Sequence, residues 1–229
     1  MITLTRDTHV TTAADNFDAD GRVGEPYSIL AHRLRSAGDS SSQAPRSVGV
    51  TSCAHGEGAS TVAANLAVAA AEICERPVLL IDLNTARPGL PALFGMTGDL
   101  GLRDALSCSH SPGECARPTR VKNLSLLAVD PTAAHQPIAL ESSFVNDMLQ
   151  ALRAEFDLIV LDLPTADSSD CFALAGLLDG VLLVVESERT RCEVASRAKR
   201  RLTDAHANLL GVVLNKKPQH IPDWLYQRL

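Results

Sequence analysis

Short aliphatic runs alternate with longer amphipathic stretches along most of the chain. The aliphatic runs predict buried strands at 47–51, 78–82, 124–129, 158–162, 180–185 and 209–214. The stretches between them predict helices at 60–74, 144–156, 171–178 and 191–205, and a short helix that begins at 102. Strands that alternate with helices pair in parallel through crossover connections. The pattern therefore predicts an α/β fold with a parallel β-sheet flanked by helices on both faces.

Segments outside this alternation divide the chain into four parts. Residues 1–24 are polar and predict a flexible N-terminal arm, and residues 25–45 predict a short helix followed by a linker. Residues 46–215 form the α/β domain, and residues 216–229 form a C-terminal tail. The tail mixes basic and apolar residues, so contact with a membrane stays open, but its two prolines favour docking on the domain itself.

Composition narrows the class of protein. The chain has 229 residues, of which 45% are hydrophobic and only 3% aromatic, so aliphatic side chains must fill the core. Its net charge of −6 argues against nucleic acid as the main partner. No secretory signal and no membrane-spanning apolar run is present in the sequence. The six cysteines lack the spacing of a zinc site, and we expect free thiols in a reducing cytosol.

One strand-to-helix connection has the composition of a phosphate-binding loop. Residues 52–61 contain glycines that let the backbone turn tightly before the helix, and a helix N-terminus offers free N–H groups to an anion. Against the motif G-x-x-x-x-G-K-[ST], Gly58 and Ser60 fit, but Cys53 replaces the first glycine and Ala59 replaces the lysine. On the loop alone, an ordinary strand-to-helix turn stays an equal alternative.

Two acidic residues end buried strands. Asp82 follows the run 78–81, and Asp162 follows the run 158–161. The carboxyl ends of parallel strands form the edge where ligands bind, so we expect both acids to lie near the loop. P-loop proteins use such acids for Mg²⁺ and for the attacking group. The alternative is that each aspartate is only a polar residue at the end of a strand.

Taken together, these segments resemble the bacterial tyrosine kinases of polysaccharide export, which are relatives of the MinD/ParA-type P-loop ATPases. The loop from Gly56 to Thr61 resembles the family's G-E-G-K-S-T sequence. Four later segments resemble further motifs of the family, in the same order: LLIDLNTARP at 79–88, GLRDAL at 101–106, FDLIVLDLP at 156–164 and GVVLN at 211–215. The resemblance covers residues 25–229 and implies a P-loop-type α/β domain.

The resemblance also implies a bound ATP or ADP with Mg²⁺. Asp82 would be the catalytic base or a Mg²⁺-side acid, Asp162 would be the Mg²⁺-linked acid, and Ser60 would place its hydroxyl on the metal. Thr61 would lie near the α-phosphate, and Asn215 would contact the base. The implied cofactor-binding residues are Gly56, Glu57, Gly58, Ala59, Ser60, Thr61 and Asn215.

The family's biology gives further expectations. The chain would regulate exopolysaccharide or capsule biosynthesis from the cytoplasm, at the inner membrane, by acting with the cytosolic segment of a membrane co-polymerase that sets chain length. Members of the family form ring-like homo-oligomers that phosphorylate tyrosines in each other's C-terminal tails.

Several departures from the family pattern affect residues that would take part in phosphate or Mg²⁺ binding. Ala59 removes the cation of the loop, Asn84 replaces the second acid of a D-x-D pair, and Ala54 occupies the position of the signature lysine of the related ATPases. Ala86 replaces an arginine, although Arg87 follows one position later and could substitute for it.

Other departures fall on assembly and on the substrate tail. The family's oligomer motif, a glutamate with two arginines at three-residue steps, corresponds to Glu25, Ser28 and Ala31, so only the acid remains. The tyrosines are Tyr27 and Tyr226, and no tyrosine cluster ends the chain.

Three hypotheses follow from the sequence. The first is a degenerate kinase homologue whose catalysis is lost or weak and which acts through binding. The second is an active tyrosine kinase or ATPase in which Arg87, or a lysine from a neighbouring subunit, replaces the missing cation. The third is a positioning ATPase of the MinD/ParA type, which the absent signature lysine disfavours.

Overall fold

The computed structural model describes residues 2–5, 24–36, 44–97, 101–107, 110–129, 138 and 140–217. The strands are β1 (Ile2–Thr5), β2 (Ser47–Ser52), β3 (Val78–Asp82), β4 (Arg117–Pro118), β5 (Leu124–Leu127), β6 (Leu158–Asp162), β7 (Gly180–Glu186) and β8 (Leu209–Lys217). The helices are α1 (Glu25–Ser36), α2 (Ala59–Ile73), α3 (Leu90–Leu93), α4 (Leu102–Leu106), α5 (Pro112–Cys115), α6 (Ser142–Leu152), α7 (Ser169–Ala175) and α8 (Cys192–Asp204).

The strands form one sheet of eight, in the order β1-β8-β7-β2-β6-β3-β5-β4. The pair β4–β5 is antiparallel, and the other neighbouring strands pair in parallel. Strand β2 lies centrally, between β7 and β6. Because β2, β3 and β6 run in the same direction, the loops that follow them leave the sheet at one edge, which is where the predicted site residues lie.

Helices cover both faces of the sheet, as the sequence predicted. Alternate residues of each central strand enter different cores: Leu80 packs on the side of α1, α2 and α3, whereas Leu79 and Ile81 pack on the side of α4, α6, α7 and α8. Helix α2 lies deepest, because its many alanines let it approach the sheet closely, and residues 62–71 are all buried. This arrangement confirms the predicted fold class.

The sheet extends further at one edge than the pattern of residues suggested. Residues 2–5, which belong to the segment predicted as a flexible arm, form β1 and pair in parallel with β8, with Ile2 opposite Val213 and Thr3 opposite Leu214. Strand β8 continues to Lys217, so the first two residues of the predicted tail belong to the sheet. The four residues Ile-Thr-Leu-Thr alternate apolar and β-branched polar side chains, which is a strand signal, but it is too short to stand out from the polar arm around it.

The remaining parts of the three terminal and linker predictions lie outside the described residues. These parts are residues 1 and 6–23 of the arm, 37–43 of the linker and 218–229 of the tail. In the described ranges, none of the helices has the length and apolar character that a bilayer crossing requires.

Candidate functional site

The structure brings Asp82 and Asp162 together at the edge where the phosphate loop lies. The two residues are register partners at the ends of β3 and β6, so their Cα atoms are about 4.8 Å apart. Both are fully buried. Each lies two residues after a strand residue that packs against α2, so both side chains are directed to the α2 face of the sheet.

Three backbone N–H groups hold the Asp82 carboxylate. Asn84 donates to one oxygen, and Gly89 and Leu90 donate to the other, each at 3.1 Å. Burial raises the pKa of Asp82 to about 7, although the three hydrogen bonds oppose this rise. The turn after β3 therefore fixes the orientation of this side chain.

The Asp162 carboxylate has no such support. Both of its oxygens are buried without a hydrogen-bond partner. Burial raises its pKa well above the ordinary value, the neighbouring Asp82 raises it further, and the nearby Ser60 hydroxyl opposes the rise. A divalent cation would satisfy the orphaned oxygens and neutralise the repulsion between the two acids.

Ser60 lies beside this acid pair in the first turn of α2. Its Oγ is 3.5 Å from the point where a Cβ on Gly89 would lie, so the start of α2 contacts the turn that holds Asp82. Among the described residues, no group of three or more His, Cys, Asp or Glu could hold a metal. A hydroxyl beside two carboxylates nevertheless fits Mg²⁺, which binds few protein ligands and completes its shell with water and phosphate oxygens.

The phosphate loop turns sharply ahead of α2. Gly56 has a φ of 85° and Gly58 a φ of 95°, values that favour glycine. A Cβ on Gly58 would come within 2.3 Å of the Asn215 Nδ2 atom, so a larger residue here would displace the Asn215 side chain from the loop. Helix α2 then begins at Ala59, whose methyl group can offer no charge to an anion.

The side chain of Glu57 forms hydrogen bonds with its own loop and with Thr190, and its predicted role toward a nucleotide stays a prediction. It is buried, and its Oε2 accepts hydrogen bonds from the N–H groups of Cys53 at 2.7 Å and Ala54 at 3.0 Å. Its Oε1 accepts from the Thr190 hydroxyl. The loop's own carboxylate thus occupies two N–H groups and places a negative charge close to where a phosphate would bind.

The end of β8 fastens the loop from the other side. Asn215 donates from Nδ2 to the Glu57 carbonyl at 2.8 Å, so the residue predicted to contact the base holds the loop in this structure. Lys216 donates from Nζ to the Gly56 carbonyl and forms an ion pair with Glu186 at 3.1 Å. The role of Asn215 toward a base stays a prediction.

Two of these contacts involve residues that sequence reasoning missed. Neither Thr190 nor Lys216 was a site candidate, and the sole signal was the position of Lys216 directly after the GVVLN motif. By contrast, Arg87, which the sequence offered as a replacement cation, is exposed in the turn after β3, where its N–H group donates to the Asn84 carbonyl. Thr61 is half-buried in the first turn of α2, and its carbonyl accepts from Asn65.

The departures in α1 have structural counterparts. Ala31, the third position of the oligomer motif, is buried in the core that α1 shares with α2, so this position does not lie on the exposed surface of α1. The Arg35 guanidinium donates to the Ile73 carbonyl of its own chain. Tyr27 packs against the core beside Asn65, and burial raises its pKa to about 12. Tyr226 lies outside the described residues.

Comparison with known proteins identifies the family of this chain. The family described as "ParA: NUBPL iron-transfer P-loop NTPase" matches residues 43–224. The tyrosine-protein kinase YwqD of Bacillus subtilis (strain 168) is 32% identical over 173 residues, which cover 75% of this chain and 73% of that protein. The chain belongs to the bacterial tyrosine-kinase family of ParA-type P-loop NTPases.

Two further similarities extend the match. The succinoglycan biosynthesis transport protein ExoP of Rhizobium meliloti (strain 1021) is 31% identical over 208 residues, which cover 85% of this chain but only 26% of that longer protein. The crystal structure of the VpsO kinase domain superposes with a TM-score of 0.70 and 28% identity, covering 83% of this chain and 93% of that domain. The family and fold predicted from sequence are thereby confirmed.

Proposed function

We propose that this kinase homologue binds a nucleotide with Mg²⁺ and regulates exopolysaccharide or capsule biosynthesis through that binding, with phosphoryl transfer weakened or lost. The observation that carries the proposal is the combination of an intact acid pair with an uncharged residue in the loop. Asp82 and Asp162 lie side by side, fully buried, beside the loop, whereas α2 begins with Ala59 where the family has lysine.

The remaining groups suit binding better than chemistry. The free N–H groups at the start of α2 would bind phosphate oxygens, and Ser60, Asp82 and Asp162 would hold Mg²⁺. When bound, Mg²⁺ neutralises charge on the phosphates. Stabilising a transferring phosphoryl group requires further positive charge aimed at the transition state, which Ala59 cannot supply.

The setting of this function comes from the relatives. ExoP is named a biosynthesis transport protein and YwqD a tyrosine-protein kinase. By analogy, the chain would act in the cytoplasm, at the inner membrane, on the cytosolic segment of a polysaccharide co-polymerase. A homo-oligomer would need contacts other than the family's motif in α1, because Ser28 and Ala31 occupy the positions of its two arginines and Ala31 is buried.

Restoring the lysine tests the proposal. We expect Ala59→Lys to tighten Mg-ATP binding by about tenfold or more, because a charged hydrogen bond contributes about 1.5–3 kcal/mol. Titration calorimetry measures the affinity, and phosphate release measures turnover. Ala151→Lys, on the exposed surface of α6, is the matched control.

The outcomes separate the hypotheses. New hydrolysis in Ala59→Lys would show that the lysine alone was missing from a binding site. Fast hydrolysis by the wild type that Ala59→Lys leaves unchanged would overturn the proposal and favour an active enzyme with a substitute cation. The absence of nucleotide binding at millimolar concentration in both proteins would overturn the nucleotide site altogether.

A further inference from the structure

A lysine from outside the phosphate loop contacts the loop. Lys216 lies near the end of β8, where its Nζ donates to the Gly56 carbonyl and pairs with the Glu186 carboxylate at 3.1 Å. Its side chain is 26% exposed. The ammonium group is therefore partly shielded from water yet remains accessible to a ligand that enters the loop.

The backbone around Lys216 directs this side chain to the loop. Lys216 has a φ of 54°, in the left-handed region that residues other than glycine seldom adopt. The preceding residue, Asn215, is fixed by its hydrogen bond to Glu57, and its carbonyl accepts from the Ser187 N–H at 2.9 Å. An uncommon conformation held from both sides indicates a position that the fold determines.

The loop needs a cation from elsewhere if it binds an anion. Glu57 places a buried carboxylate within it, and the helix begins with Ala59. Glu186 is contacted by both Lys216 and Arg189, the latter at 3.3 Å, so this cluster carries one net positive charge next to Gly56. That charge offsets the repulsion that Glu57 would exert on an incoming phosphate.

We propose that Lys216 supplies the positive charge that Ala59 withholds, and that it binds the phosphate groups of a nucleoside diphosphate or triphosphate. The inference rests on the nucleotide site proposed above. The flexible four-carbon stem of lysine lets Nζ exchange the Gly56 carbonyl for a phosphate oxygen through bond rotation, without movement of β8. Binding of the phosphate groups then depends on Lys216, whereas binding of the nucleoside does not.

The test compares two neighbouring lysines. Mg-ADP and adenosine are titrated into the full chain, into Lys216→Met and into Lys217→Met, whose side chain is exposed. We expect Lys216→Met to weaken Mg-ADP binding by about tenfold or more, to leave adenosine binding unchanged, and Lys217→Met to resemble the wild type. Lys216→Arg, which keeps the charge, should recover most of the affinity.

A second measurement distinguishes the loss of a phosphate contact from a disruption of the fold. In the Ala59→Lys background, which restores a cation to the loop, Lys216→Met should cost much less Mg-ADP affinity than it does in the wild type, because the two lysines serve the same phosphates. Equal losses in both backgrounds, together with a parallel loss of adenosine binding, would show a structural role and overturn the inference.

Two further results would also overturn the role of Lys216, and only the second would overturn the nucleotide site as well. If the wild type binds Mg-ADP and Lys216→Met binds it equally well or more tightly, Lys216 only closes the loop, while the proposed nucleotide site stands. If the wild type binds no Mg-ADP at millimolar concentration, both the site and the role of Lys216 are wrong.

Discussion

A buried carboxylate without a hydrogen-bond partner costs free energy, and Asp162 is such a group. We predict that Asp162→Asn raises the melting temperature in the absence of Mg²⁺ and increases the free energy of unfolding by about 1–3 kcal/mol. The reason is that the wild-type carboxyl must either take up a proton or remain an unpaired charge in the interior, and the amide requires neither. The same variant should lose any stabilisation that Mg²⁺ and ADP confer on the wild type, as thermal unfolding with and without ligand would show.

The Asp82 carboxylate provides the contrast, because hydrogen bonds hold it in place. Its two oxygens accept from three N–H groups, and an amide has one oxygen, so at least one donor would lose its acceptor. We expect Asp82→Asn to be less stable than Asp162→Asn at the same pH. If both asparagine variants shift stability equally, the distinction between a supported and an unsupported acid is wrong.

Single residues also show where sequence reasoning stops. The meeting of Asp82 and Asp162 could be predicted, because parallel strands carry their ends to one edge. The inward turn of Glu57 onto the N–H groups of Cys53 and Ala54 could not, because the same letters fit a ligand-facing side chain. Contacts across the fold leave no periodic trace in the sequence.

At the scale of elements, Asp179 ties the starts of β2 and β7 to the end of α6. Its carboxylate accepts from the Ser47 N–H at 2.8 Å and pairs with Arg153 at 2.8 Å. Burial alone would raise the pKa of Asp179, but hydrogen bonds from Arg46 and Ser47 and the charge of Arg153 hold it below its ordinary value. The group therefore joins three elements at the edge of the sheet opposite the site.

We predict that Asp179→Asn lowers the free energy of unfolding by about 1–2 kcal/mol at pH 7, since the carboxylate is one-third exposed and partly screened. Because the folded pKa is depressed, the contribution is complete above the unfolded pKa of about 4 and is lost as the pH falls through the folded pKa. Denaturant unfolding from pH 7 to pH 3 should show the difference from wild type shrinking.

The control for this element is Asp147→Asn, an exposed position on α6. This substitution should leave the change in the free energy of unfolding between pH 7 and pH 3 as it is in the wild type. A difference between Asp179→Asn and wild type that stays constant down to pH 3 would contradict the role of the charge and leave only a packing effect.

The helices and strands differ in how clearly the sequence pattern predicts them. Strands β2, β3, β6 and β7 are buried on both faces, so each leaves an aliphatic run that predicts it. Strand β1 has four residues and β4 has two, so both are too short to stand out as a run. Helices α3 and α5 are single turns that begin near a proline, which is too short for a period to appear.

At the scale of the whole molecule, β1 covers the edge of β8, which in turn carries Asn215 and Lys216 to the loop. We predict that deletion of residues 1–5 exposes a strand edge, causing self-association at high concentration and weaker Mg-ADP binding. Sedimentation velocity over a concentration series and calorimetry would measure the two effects. A monodisperse variant with wild-type affinity would show that β8 needs no cover.

The architecture as a whole was accessible from the sequence, because the alternation of strands and helices permits few parallel topologies. The position of β8 beside β7 follows from that logic. Its use as a fastening for the loop does not, since it depends on two side chains and on one left-handed backbone position at Lys216.

The contacts of β8 with the phosphate loop also determine when the loop can reach its final structure during synthesis. Residues 53–58 leave the ribosome well before Asn215 and Lys216, and at about 5–20 residues per second the interval is on the order of ten to thirty seconds. During that time the nascent loop lacks both the hydrogen bond from Asn215 and the lysine that we assign to it. Nucleotide binding should therefore require synthesis through β8, and chains stalled before β8 should not bind ATP.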